Sequence, residues 1–164
     1  MNRLSLYAIF CDDVRREVGN KRTYVGVYTD VLYVPSLPTL IPKFFIVTSI
    51  TCLRENIPKK LAVRFVLADQ ELETKPIDEK ALEEWRTKAD QAVEEEGANY
   101  PADQPLKTRL MVEALVSPFV VDREGRLTAF VETETASVRA GTLKIVKKEG
   151  EHSPAIGLRR PEPK

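Results

Sequence analysis

Histidine is nearly absent from this 164-residue chain: the only one is His152, near the C-terminal end. A Ser/His/Asp or Cys/His catalytic arrangement needs an imidazole held in a rigid site. The segment around His152 is instead charged, interrupted by prolines and without apolar period. With one histidine and two cysteines, Cys11 and Cys52, the usual nitrogen and sulfur ligands of a structural zinc site cannot be assembled. The seven glycines are scattered, and neither G-x-x-x-x-G-K nor G-x-G-x-x-G occurs, so a phosphate cradle is missing as well. There is no net charge: 25 Lys and Arg face 25 Asp and Glu. Nucleic-acid binders draw most of their affinity from neutralised phosphates and usually show a basic excess.

Long hydrophobic runs are lacking too. Leu4 to Cys11 is stopped by Asp12-Asp13, which is too short to span a bilayer. Charge follows where a signal peptide needs small residues, and Phe10 stands where a lipoprotein signal would carry a small one before Cys11. Together these absences disfavour the familiar hydrolases, kinases and dehydrogenases. They predict a cytoplasmic protein without cofactor or metal, binding neither nucleic acid nor membrane.

What is present is period-two patterning. Leu4 to Asp12 is apolar on both faces, which suits a central strand, and Asp13 to Lys21 reads as a polar connector with a Gly19-Asn20 turn. Tyr24–Tyr28 reads as a second strand, which Asp30 to Val34 extends or restarts. Pro35, Pro38 and Pro42 mark a loop or a sheet edge, because proline cannot donate to a ladder. Phe44 to Leu53 and Leu61 to Leu67 follow as strands, then the run from Leu110 to Val116. Phe119–Val121 and Leu127–Val131 flank a turn at Asp122–Gly125, and a last hairpin is expected across Ala140-Gly141.

Only between Asp78 and Gly97 does the period change. Leu82, Trp85, Ala89 and Val93 form a helical stripe, with Asp78 as N-cap, Glu84 and Lys88 as an (i, i+4) pair and Gly97 as the stop. The expected fold is therefore mainly β: an antiparallel β-sandwich of about seven or eight strands, immunoglobulin- or C2-like, with one inserted amphipathic helix over about 78–96. Residues 1–148 read as one domain and 149–164 as a disordered tail.

Chemistry-bearing residues are few. The most distinctive patch is Asp12, Asp13, Arg15 and Glu17, where a buried strand meets a turn. It reads either as a polar site at the sheet end or as turn-capping aspartates beside solvated arginines. A calcium site would draw on Asp12, Asp13, Asp30 and Asp122, although their spacing does not demand one. Cys11 and Cys52 lie in strand-like runs and read as buried thiols; a disulfide requires strands that set them opposite each other. Trp85 suits a core or docking role better than a sugar-binding cleft. Glu94-Glu95-Glu96 sits at the helix end that the dipole makes unfavourable for acids, which marks either fraying or a basic partner.

The stretch Tyr7-Ala-Ile-Phe-Cys-Asp-Asp-Val-Arg-x-Glu-x-Gly-x-Lys, followed by Val25-Gly26-Val27-Tyr28, resembles the opening of a bacterial family of uncharacterised proteins. In that family an FCDD-(Ile/Val)-R-x-E segment precedes a lysine and a Gly-(Val/Ile)-Tyr strand. Ala140 to Ile145 is similar to the family's closing segment. The resemblance implies a bacterial or phage origin and brings no activity and no catalytic residues.

Three functional classes follow. The first is a non-enzymatic interaction module with a protein partner or homo-oligomer, using Leu82 and Trp85 on the helix and Pro35 and Pro38 in the loop. The second is a component of a bacterial or phage multi-protein system such as defence or assembly. The third is a carboxylate-based metal or hydrolytic site at Asp12/Asp13.

Overall fold

The computed structural model describes residues 4–19, 21–96 and 106–148. In chain order the strands are β1 (Ser5–Cys11), β2 (Asp13–Glu17), β3 (Lys21–Val25), β4 (Val31–Val34), β5 (Thr39–Ile41) and β6 (Phe44–Leu53). A single 3-10 turn (Arg54–Asn56) leads to β7 (Leu61–Leu67) and β8 (Gln70–Ile77), followed by the helix α1 (Glu79–Glu96). After the helix come β9 (Lys107–Val116), β10 (Phe119–Val121), β11 (Gly125–Thr133) and β12 (Ser137–Lys147).

The phenylalanine and β-branched run of β6 makes it the centre of a three-stranded antiparallel sheet, ordered β1-β6-β9. A five-stranded sheet, ordered β4-β12-β11-β7-β8, holds the alternating strands. Leu61, Val63, Phe65 and Leu67 of β7 and Leu127, Ala129 and Val131 of β11 are all buried. They join Phe44, Ile46 and Ile50 of β6 in one hydrophobic cluster, so the two sheets supply the walls of a single core.

The sheets approach each other where β12 passes β1. A Cβ on Gly141 would stand 2.8 Å from the Cβ of Ala8, so only glycine permits that closeness. At the opposite edges, Lys75 Nζ of β8 donates to the Glu113 carbonyl of β9 at 3.1 Å.

Helix α1 starts where the sequence places it. Asp78 Oδ1 accepts the Ala81 amide at 2.6 Å, a side-chain N-cap. Gly97 lies outside the described residues, as does the tail from 149 onward. The ion pair that forms on the helix is Arg86–Glu83 at 3.0 Å rather than Glu84–Lys88.

The helix closes the end of the core at which β6 finishes and β9 begins. Trp85 Nε1 donates to Thr108 Oγ1 at 2.8 Å, Arg86 donates to the Pro58 carbonyl at 3.0 Å, and Arg54 pairs with Asp90. Leu82 and Trp85 are only 2% and 4% exposed. The expected docking surface on this helix is therefore corrected: Leu82 and Trp85 are inside the core, because the open end between two sheets needs a large apolar plug.

Several strands differ from the sequence expectation, and twelve are present among the described residues. The polar connector 13–21 is half of a hairpin, β2–β3. β8 escapes the period-two test because an edge strand exposed on both faces needs no alternation. Ala140-Gly141 makes no hairpin. It is a bulge within the continuous strand β12, where Gly141 faces Ala129 and Arg139 faces Phe130. The sheets are antiparallel except for β4, which runs parallel to residues 144–147 of β12. That pairing joins segments more than a hundred residues apart, and local patterning does not encode it.

The buried plug yields a first prediction. Trp85→Ala should destabilise the fold by about 3–5 kcal/mol. Trp85→Phe, which keeps most of the bulk but strands the Thr108 hydroxyl, should cost about 1 kcal/mol. Urea unfolding monitored by circular dichroism measures both, and a Trp85→Ala midpoint equal to wild type would refute the plug.

Candidate functional site

The distinctive acidic patch lies at the end of β1, where the chain leaves the three-stranded sheet and enters β2. Phe10 points into the core and Cys11 to the opposite face, both buried. At Asp12 the chain turns into the β2–β3 hairpin. The Asp12 amide donates to the Val25 carbonyl at 3.0 Å, and the Tyr28 amide donates to the Phe10 carbonyl at 2.8 Å. These two bonds tie both ends of the hairpin to one point.

The side chains reinforce that point. Tyr28 Oη donates to Asp12 Oδ1 at 2.5 Å, and its ring stacks on Phe44 with centroids 5.8 Å apart. Burial, then the bond to Asp12, pushes the Tyr28 hydroxyl up to about 12. Gly26 has φ of +64°, and any Cβ there would collide with the Asp12 carboxylate. Both the left-handed backbone and the close approach require glycine at that position.

Asp13 pairs with Lys43, just ahead of β6, and accepts from Arg15 Nε at 3.4 Å. The Lys43 ammonium, followed by Arg15, holds the Asp13 carboxyl below the usual aspartate range. Lys43 also lies 5.1 Å from the centre of the Phe45 ring.

The hairpin is held to the outer face of the three-stranded sheet by a second ion cluster. Arg22 pairs with Glu113 of β9, and Arg16 reaches the same carboxylate at 3.4 Å. Arg16 and Arg22 are in register, as are Val14 and Tyr24, so these four share one hairpin face. Burial raises the Tyr24 hydroxyl above its ordinary range, with the Arg22 guanidinium opposing the rise and the Glu113 carboxylate adding to it.

Of the four residues singled out by sequence, the structure brings Asp13 and Arg15 together, while Asp12 bonds to Tyr28 instead. Glu17 lies toward the hairpin tip, in register with Lys21 and next to Val18, which is 96% exposed. Asp30 offers its backbone carbonyl to Lys144, and Asp122 pairs with Arg123 at 2.8 Å, so each has its own local role. Among the described residues no three His, Cys, Asp or Glu side chains are grouped to hold a metal ion. The two aspartates are clamps between chain segments: Asp12 to Tyr28, Asp13 to Lys43.

Gly26, Tyr28, Lys43 and Glu113 escaped the sequence reading as members of this cluster. Gly26 and Tyr28 stood in the quoted motif, but pairing across the turn is a tertiary fact. The two thiols are free and buried. Cys11 is in register with Phe45 and Cys52 with Thr108. That sets them about 23 Å apart along β6 at roughly 3.3 Å per residue, beyond any disulfide. Burial pushes both up to about 11, so they carry little thiolate at neutral pH.

On the surface, Pro35 and Pro38 are exposed and precede β5. β5 and β10 form a two-stranded ladder of their own, with Leu40 directly opposite Val120. Leu40 is 57% and Val120 51% exposed, while their neighbours Phe119 and Val121 are buried. Sequence reading missed this pair because nothing local predicts that the two segments meet.

The chain belongs to a family of unknown function (DUF6941), whose model matches residues 6–145, from β1 into β12. Neither the curated proteins nor the solved structures contain a match to it.

Two outcomes test the clamp. Gly26→Ala should destabilise by about 1–2 kcal/mol from its left-handed backbone alone, and pairing it with Asp12→Ala, which removes the collision, should recover part of the loss in a thermal melt. For Asp13 the folded carboxyl titrates below its unfolded value of about 3.9. Its contribution is therefore present above that pH and lost as pH falls through the folded value. Asp13→Asn should melt below wild type at pH 7, and the gap should close in acid; a gap independent of pH would refute the ion pair.

Proposed function

We propose that this chain is a non-enzymatic protein-interaction module, an adaptor or structural component of a multi-protein bacterial or phage system, working in the cytoplasm. Residues 1–148 act as one unit. The single core walled by two sheets and closed by α1 supports reading that unit as a β-sandwich with an inserted helix.

The observation that carries this reading is the β5–β10 ladder. Leu40 and Val120 are cross-strand neighbours on an outward face, each more than half exposed. Two large apolar side chains fixed side by side on a short ladder make a firm contact point for another protein. The exposed Pro35 and Pro38 lie just ahead of it and donate no backbone hydrogen bonds. By contrast, the charged groups at the end of β1 are bonded to one another, which supports a structural use for them.

Site-specific photocrosslinking in the native host tests the reading. A photoreactive residue at Leu40 should give discrete protein adducts, and one at the exposed hairpin tip, Val18, should not. Val120→Glu in the chain that carries the photoreactive residue at position 40 should weaken the adducts while leaving the melting temperature within a few degrees, since Val120 is not in the core. Adducts from both positions alike, or from neither, would overturn it. Light scattering of the purified protein against its 18.6 kDa monomer mass separates self-association from a different partner.

A further inference from the structure

The outward face of the five-stranded sheet carries a charge arrangement that the fold itself does not use. Arg126 of β11 and Lys144 of β12 are directly opposite each other. Both side chains are exposed, and neither has an acidic partner among the described residues. Like charges in register disfavour strand pairing. Two outward-facing rows further on, Phe130 lies between Arg64 of β7 and Arg139 of β12. The Arg64 guanidinium stacks 4.8 Å from the Phe130 ring centre and is pinned by Glu132 at 2.6 Å. Arg139 is exposed and has no acidic partner among the described residues.

Between the two cationic rows, Thr128 and Thr142 are in register with hydroxyls 3.3 Å apart. Tyr33 of the neighbouring β4 is 63% exposed. No side chain on this face is buried, whereas the opposite faces of β7 and β11 are buried along their length.

The face thus holds four cations, Arg64, Arg126, Arg139 and Lys144, against two carboxylates, Glu71 and Glu132, a local basic excess in a chain whose charges cancel as a whole. Glu124 stands at the rim, but its carboxylate accepts the Lys147 amide at 2.6 Å. Residues 126 and 130 are about 13 Å apart along β11 at roughly 3.3 Å per residue. That is the spacing of carboxylates four residues apart on an extended strand.

We propose that this sheet face binds an extended acidic peptide segment of a partner protein, its carboxylates meeting Arg126 with Lys144 at one end and Arg139 at the other. Three unpaired cations interleaved with threonine hydroxyls and two carboxylates suit a peptide with spaced acids better than a continuous phosphate backbone, which asks for an uninterrupted basic track. The inference rests on the reading of the chain as a protein-interaction module, but it uses a different face from Leu40 and Val120.

Fluorescence anisotropy with the whole chain and a labelled peptide of alternating Glu and Thr, long enough to run the length of β11, tests it. Wild type should bind and lose affinity as salt is raised. Arg126→Thr with Lys144→Thr should weaken binding by about tenfold, a loss of about 1.4 kcal/mol. The same change should raise the melting temperature, since it relieves the like-charge pair and keeps a strand-favouring residue. Leu40→Glu with Val120→Glu should bind the peptide as wild type does, so that failure here and failure of the Leu40 crosslink are separate results. No peptide binding, equal binding by the threonine variant, or tighter binding of a single-stranded oligonucleotide of matched charge would each overturn the proposal.

Discussion

Strand β6 has to be buried on both of its faces, and the rest of the molecule is arranged around that constraint. Phe44, Ile46 and Ile50 face the core, while Val47 and Ser49 on the opposite side are also fully inaccessible. A strand apolar on one face needs one covering layer; this one needs two. The five-stranded sheet supplies the first. On the outer side the β2–β3 hairpin folds back over the three-stranded sheet and is held there by Arg16 and Arg22 on Glu113.

The need for that second cover explains the motif at the end of β1. A hairpin that leaves a sheet and returns over it must turn sharply at both ends, and its own ladder does nothing to fix its angle. Asp12, Gly26 and Tyr28 fix it: a carboxylate, a residue without Cβ and a phenol meet at one point. The same tyrosine stacks on Phe44, the first residue of β6, so hairpin geometry and core packing are coupled through one ring. Asp13 on Lys43 adds a second link between the hairpin base and the start of β6. An acidic pair that looks like chemistry in the sequence is accounted for by this mechanical demand.

Charge is distributed with the same economy on one side and not on the other. Around the hairpin Asp13, Arg15, Arg16 and Arg22 each have a partner, and at α1 Arg54 and Arg86 tie the helix to the turn and loop beneath it. On the outer five-stranded face Arg126, Arg139 and Lys144 have no ion-pair partner among the described residues, and Leu40 and Val120 are exposed together on their ladder. Function is sought where local rules are broken without a structural return, and these two surfaces meet that description.

The sequence by itself determined the mainly-β class, the helix with its Asp78 cap, and the burial of both thiols, because each follows from periodicity or residue type within a short window. It also picked out the FCDD and Gly-Val-Tyr segments as distinctive. Only the tertiary structure decided that these two segments form one clamp, that Trp85 and Leu82 plug the core instead of facing a partner, and that Leu40 meets Val120. It alone placed Arg126 opposite Lys144. The strand contacts depend on register between paired segments, and the burial of Trp85 and Leu82 depends on where the helix docks. A one-residue slip would send Leu40, Val120, Arg126 and Lys144 to the other face of their ladders.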